Sequence, residues 1–308
     1  MTITVLSDVI VPNSVILAGV SGSQTRENIR TKNQGGYASV NVVRDITLRS
    51  YQLGIQPMSV TAWQDLEGIY EVTDAGAFGM LLEDPKDSAI TAAQGALIGY
   101  MAGVESGVYG FGNGTPNYGL RKLYTASGTS RQRARQITRL KGTPSLLRAG
   151  SPVTIGVSAG NVALSAGPTV ATFVADDTRS IIAITVGATT QVALSSAMSG
   201  PLLVGGKLWL QGVGGTAGAV LNNLAHTIAN IATNVYTLTV DTTGKSETHG
   251  SAAAHKYPQP TETLTFSSGF YVPVQFRDDS LEWELVAAGP RDSRIVAGPS
   301  VYLDEVRE

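Results

Sequence analysis

The sequence predicts a mainly β fold with one prominent helix. Glycine is abundant, at 35 of 308 residues, while aromatic residues make up only 6%. That composition suits short strands and turns better than a helical bundle. Val- and Thr-rich runs of strand length recur with glycines between them. Only one stretch, near 59–73, carries a clear apolar stripe at helical spacing.

Taken in order, the opening MTITVLSDVIVPNSV lacks a basic flank and has Asp8 inside its apolar run, so it does not read as a secretory signal. In the helix, Val60, Trp63, Leu66, Ile69 and Tyr70 form the stripe, Ser59 or Thr61 caps the start, and Glu67 and Glu71 lie outside. GAFGMLLED (76–84) reads as a strand stopped by Pro85. Residues 88–104 are ambiguous. Ile90, Ala93, Leu97, Met101 and Val104 fit helical spacing, but Gly95, Gly99 and Gly103 oppose it. NYGLRKLYT (117–125) and RARQITRL (133–140) flank ASGTSRQ and predict a hairpin. Residues 153–177 are a series of short Val-rich strands, and KLWLQG, NVYTLTVD and ETLTFSSGFYVPVQF continue the pattern. Pro273 within the last run predicts an edge strand or a bulge there.

Composition bounds the function. The length suggests about two domains. Charged residues are 15% of the chain, hydrophobic residues 43%, and the net charge is −2. Such a chain buries a core, which excludes whole-chain disorder. Cysteine is absent, so disulfides, thiolate metal sites and thiol nucleophiles are excluded. The uncharged runs 180–206 and 208–240 are rich in Gly, Ser, Thr, Asn and Gln and read as strands and turns, not membrane spans. Charge is unevenly spread: 141–260 holds 10 charged residues and the rest of the chain 36. The middle third is therefore a different surface, consistent with a separate module.

Four constellations invite a chemical reading. GVGGTAGA (212–219) fits the G-x-G-x-x-A form of a dinucleotide fingerprint, with an apolar strand before it and a helix-compatible AVLNNLAHTIANI after it. The acidic residue expected about 20 residues later is missing, which favours a plain turn between strands. From Arg121 to Arg148 there are eight cations and no acid. These would contact phosphates, or pair with acidic surface of the same chain or of a neighbour. The tail from Arg277 to Glu308, with eight acids and four bases, is a complement. The adjacent pairs Asp176–Asp177, Asp278–Asp279 and Asp304–Glu305 point to opposite faces if they lie in strands, which suits solvated turns better than a two-acid site. The three histidines, His226, His249 and His255, lack metal-ligand spacing, and no G-x-S-x-G elbow occurs. The expectation is no enzyme, no cofactor and no metal.

Several segments, in order, resemble the distal tail protein family of long-tailed (siphovirus-type) phages and gene transfer agents. They are VVRDITLR (42–49), AWQDLEGIYEVT (62–73), GAFGMLLEDPKD (76–87), FGNGTPNYGLRKLYT (111–125), RQITRLKGTPSLLRAG (135–150), GFYVPVQFRDDSLEWEL (269–285) and LDEVR (303–307). In that family the matching core residues are Trp63, Leu66, Tyr70, Phe78, Gly79, Phe270, Pro273, Phe276 and Asp279. Gln275 stands where the family usually has Arg. Residues 180–262 resemble a second module, the small β-barrel half-domain beside the catalytic cysteine domain of ubiquitin-activating enzymes. The matching residues there are Gly206, Gly212, Val213, Gly214, Gly215, Asn222, Leu238, Asp241 and Gly244.

The resemblance implies a β-sandwich-like ring-forming core, 1–179 with 263–308, and an inserted β-barrel decoration, 180–262. It implies a virion structural protein, assembled in the bacterial host cytoplasm and located at the distal end of the tail. Its partners would be copies of itself in a ring of about six, the tail tube protein, and the tail-tip hub and fibre proteins. DNA would pass the lumen without specific binding, and no membrane insertion is expected. Arg121, Lys122, Arg131, Arg133, Arg135 and Arg139 are then candidates for charge pairing between subunits. A peripheral tail-tip receptor- or glycan-binding protein is the alternative.

Overall fold

The computed structural model describes residues 3–44, 46–200, 202–290, 293–298 and 301–308. Asp45 of VVRDITLR, and Arg291 and Asp292 of the acidic tail, lie outside the described residues. The protein is mainly β, with one long helix and a closed six-stranded barrel. The chain forms two compact units, Met1–Ser88 with Phe270–Glu308, and Ala89–Gly269.

The first unit is built on a six-stranded sheet. Its strands run in the order Val5–Ile10, Gly79–Leu82, Val272–Phe276, Val301–Glu305, Leu48–Leu53, Val20–Thr25. The helix Val60–Val72 belongs to this unit, and Ser59 caps it by accepting from the Ala62 N–H at 3.2 Å. Ala62, Trp63 and Leu66 are buried, whereas Glu67 and Glu71 are exposed, as the stripe requires. Tyr70 meets Phe276 edge-on, with ring centroids 5.3 Å apart, and joins helix to sheet.

Pro273 corrects an expectation. Its strand is neither an edge nor bulged, because it lies between Gly79–Leu82 and Val301–Glu305. The ladder with Val301–Glu305 begins at Val274↔Glu305, and beyond it the Pro273 carbonyl accepts from the Val306 N–H at 2.9 Å. A strand residue directs its N–H and C=O to the same neighbour. Val306 thus still lies opposite Pro273, and the one bond proline cannot return falls at the end of this ladder, where the loss interrupts no further pairing.

The second unit contains a ten-stranded sheet and the barrel. The hairpin predicted around 117–140 forms from Asn117–Thr125 and Gln132–Ile137, paired from Leu120↔Ile137 to Thr125↔Gln132. The ambiguous segment 88–104 contains a buried strand, Gly95–Met101, between Asn117–Thr125 and Leu264–Phe270. Its glycines explain the choice. A Cβ on Gly95 would stand 1.9 Å from the Phe266 carbonyl oxygen, and one on Gly99 2.2 Å from the Asn113 amide. They are sites of close approach, not helix interruptions.

The barrel comprises Asp177–Thr185, Thr190–Leu194, Val235–Leu238, Leu224–Ala232, Lys207–Gln211 and Ala253–Lys256, closed in that order. Its interior holds Val192, Leu194, Leu208, Leu210, Ile228 and Leu238. The closed barrel runs from Asp177 to Lys256, near the inserted 180–262 module that the resemblance implied, and it shares one compact unit with the ten-stranded sheet. Arg148 joins the two. Its guanidinium takes both oxygens of Asp176 at 2.6 Å, just before the first barrel strand, and both oxygens of Glu262 at 3.0 and 2.8 Å, after the last.

Candidate functional site

Three resembling segments meet at Arg49. In Leu48–Leu53 the buried positions alternate as Arg49, Tyr51 and Leu53, so the strand's period of two aims a cation inward. Arg49 Nη1 bonds Asp84 Oδ2 at 2.6 Å, Nη2 pairs with Asp87, and the Arg49 backbone N–H donates to Glu305 Oε2 at 2.8 Å. The Tyr51 hydroxyl donates to the same Asp84 oxygen at 2.8 Å. Burial raises the Tyr51 pKa, the Arg49 charge opposes this, and the Asp84 charge adds to it. Tyr51 thus stays a neutral donor. The cluster ties VVRDITLR, GAFGMLLEDPKD and LDEVR together, and the pairing of Arg49 with Asp84 lets these two charges lie in the interior. Sequence reasoning did not select Arg49 or Asp84, and it took Glu305 only as one of the adjacent acidic pair Asp304–Glu305. Their legible signal was charge at inward register positions of the resembling segments.

Among the motif residues expected in the core, Trp63, Leu66, Gly79, Phe270, Pro273 and Phe276 are buried, and Tyr70 and Phe78 are half-buried. A Cβ on Gly79 would stand 2.9 Å from Val5 Cγ2, which explains glycine there. Asp279 of the closing motif is exposed and lies beyond the last residue of strand Val272–Phe276.

The basic run is largely spent within its own chain. Arg121, Lys122 and Arg139 are buried. Arg121 pairs with Glu105 and donates to the Leu120 carbonyl at 3.0 Å. Lys122 Nζ donates to the Ala89 carbonyl at 2.6 Å. The expectation that these three face a neighbouring subunit is corrected, because a buried cation needs its counter-groups at hand. Arg131 and Arg133 are exposed at the hairpin tip and Arg135 is half-buried.

The other constellations resolve as local structure. Asp176 pairs with Arg148, Asp177 with Arg179, and Asp304 with Arg277. Asp278 is exposed, like Asp279. The histidines are dispersed. His226 Nε2 donates to the Leu221 carbonyl at 2.9 Å, His255 Nδ1 lies 2.9 Å from Thr178 Oγ1, and His249 meets Glu247. Among the described residues, no group of three or more His, Asp or Glu is placed to hold a metal ion. In the glycine run, a Cβ on Gly215 would stand 2.5 Å from the Ser246 carbonyl and one on Gly218 2.3 Å from that of Val213. Only one helical turn, Gly218–Leu221, follows before strand Leu224–Ala232. Neighbouring backbone fills the cradle in which a pyrophosphate would lie.

The surface that its own chain leaves uncovered is an arm. Every residue from Ser21 to Val43 is exposed. Within it, Asn28–Lys32 and Ala38–Val42 form a hairpin that pairs with no other strand among the described residues. Asn33 fixes its tip, exchanging backbone bonds with Tyr37 and Gly36 and accepting the Tyr37 N–H on its side chain at 2.9 Å. At its base the Val43 N–H reaches the Glu27 carbonyl at 3.1 Å, and Arg44 pairs with the Glu27 carboxylate. The period of two puts Val40, Val42 and Ala38 on one face with Arg30 and Lys32, and Ile29 on the other. Ile29 is 56% exposed, Tyr37 79% and Val40 53%.

No protein-family model matches this chain, and no curated protein matches it.

Proposed function

We propose that this protein is a structural component of a long-tailed phage virion, forming the distal ring that joins the tail tube to the tail-tip hub. The observation that carries the reading is the arm. A two-stranded hairpin is marginal by itself in water, and this one exposes Ile29, Tyr37, Val40 and Val42. Such a surface suits burial against another subunit. The resemblance supplies the biological setting. Its support in the fold is that segments far apart in the chain lie side by side: Gly79–Leu82, Val272–Phe276, Val301–Glu305 and Leu48–Leu53 are consecutive strands of one sheet. That sheet is a rigid base for an arm arising between its strands Val20–Thr25 and Leu48–Leu53. In this role the protein works by interface geometry, each arm lying on the next copy around a closed axis.

The test is the solution mass of the full chain, alone and mixed with its tail tube protein. The expected result is an assembly of about six copies. Replacing Asn28–Val42 by a short Gly-Ser turn should give monomers with an unchanged melting midpoint. A full chain that stays monomeric in both conditions, or an armless chain that still closes the ring, overturns the reading.

A further inference from the structure

We infer that an open cleft in the Ala89–Gly269 unit binds a neutral oligosaccharide. The cleft lies between the outer face of the barrel and the ten-stranded sheet, and has a volume of about 640 Å³. That is within the range of roughly 300–1,000 Å³ typical of small-molecule sites. Its lining contains no charged residue; three aromatic and three amide side chains stand out, Tyr100, Trp209, Tyr257, Asn117, Gln211 and Asn223.

The fold aims these groups deliberately outward. In Lys207–Gln211, Leu208 and Leu210 fill the barrel interior, so the alternation turns Trp209 and Gln211 to the outside. Trp209 pairs with His255 across the ladder, two residues before Tyr257. The two rings meet edge-on at 6.0 Å. Trp209 is only 8% exposed although it lies on the barrel's outer face. Asn223 holds a left-handed backbone conformation, with φ of +57°, at the start of strand Leu224–Ala232. The Tyr100 hydroxyl lies 3.3 Å from Glu105 Oε1 and 3.2 Å from the Arg121 guanidinium, so its ring is fixed.

The hydrogen-bonding capacity of the cleft is left open. Among the described residues, no partner bonds the indole N–H of Trp209, the side-chain amides of Gln211 and Asn223, or the Tyr257 hydroxyl. Asn117 uses its carbonyl oxygen, which accepts from Thr172 Oγ1 at 3.0 Å. Aromatic surface beside unpaired amides matches a molecule with apolar C–H faces and hydroxyls around its edge. A pyranose has that form. A nucleotide would also stack, but its phosphates would need cations, and none lines the cleft. The inference does not rest on the ring reading, because the cleft is complete within one chain.

The test uses the full chain with cellotriose, maltotriose, chitotriose and mannotriose. Binding is followed by saturation-transfer NMR and by chemical-shift titration. At least one sugar is expected to bind saturably, and raising the salt should leave the affinity unchanged because no ion pair forms. Gln211→Ala combined with Asn223→Gly should weaken binding by about tenfold or more. Glycine keeps the left-handed turn at 223, so the melting midpoint should hold. The armless chain should bind as the full chain does, which separates this test from that of the ring. No binding by any of the four sugars overturns the inference. So does binding that the double variant leaves intact, or that salt abolishes.

Discussion

Arg148 shows how one side chain decides the relation between two parts of a unit. Burial works against its charge, but the hydrogen bonds to Asp176 and Glu262 outweigh that and hold its pKa above the ordinary value. The two carboxylates flank the barrel segment in sequence, so the guanidinium ties both ends of that segment to the strand Leu140–Arg148. Arg148→Met leaves two neighbouring acids without a cation. Loss of one partner from such a pair costs about 3 kcal/mol or more. A chemical-denaturation curve should show that loss, whereas Arg131→Met at the exposed hairpin tip should change stability by less than about 0.5 kcal/mol. Equal effects would contradict the clamp.

At the scale of elements, the helix Val60–Val72 is the piece most open to local reasoning. Its stripe, its cap and its exposed acids all follow from spacing. Ser59→Ala removes the acceptor for the Ala62 N–H and should cost about 1 kcal/mol. Thr61→Ala, at the other residue the sequence offered as a cap, should cost much less. The strand Gly95–Met101 is the opposite case. Its apolar spacing fits a helix as well, and only the neighbouring strands show why glycine is required. Gly95→Ala would drive a methyl group into the Phe266 carbonyl. The expected result is a chain recovered poorly or in insoluble form. Gly128→Ala, where nothing lies within 4 Å, should fold, with only the cost of its positive φ.

For the whole molecule, two consequences concern conditions. The first is salt. With Arg121, Lys122 and Arg139 buried in their own chain, the ring is proposed to rest on Ile29, Tyr37, Val40 and Val42 of the arm, beside which Arg30 and Lys32 lie, so its mass should change little between low and high salt. Dissociation by salt would return weight to charge pairing between subunits. The second is pH. Burial lowers the pKa of both His226 and His255 from their ordinary value of 6.5. In the unfolded chain they take up protons as pH falls through about 6.5, while in the fold they remain neutral until lower pH. Protons therefore bind the unfolded chain preferentially, and stability should fall as pH drops from about 6.5 through the lowered folded values. His226→Gln with His255→Gln should flatten that part of the profile. The melting midpoint between pH 7 and 5 measures it.

The sequence by itself determined what depends on near neighbours. The β character, the capped helix, the hairpin at 117–137 and the Val-rich strands all follow from spacing and turn residues, which act over a few positions. It also indicated that the glycine run lacked the acid a nucleotide needs. Tertiary structure decided what depends on partners distant in sequence. Arg49 could be placed only once Asp84, Asp87 and Glu305 stood beside its strand. The basic run reads as one surface in sequence, but a strand covered on both faces buries the adjacent Arg121 and Lys122, while Arg131 and Arg133 stay at the tip. Pro273 looked like an edge residue because the sequence does not say where the neighbouring strand ends. The cleft draws its six residues from positions 100 to 257, and no local pattern joins them. Short-range sterics and hydrogen bonding are written along the chain, whereas burial of charge and convergence of side chains exist only after strands have found their partners.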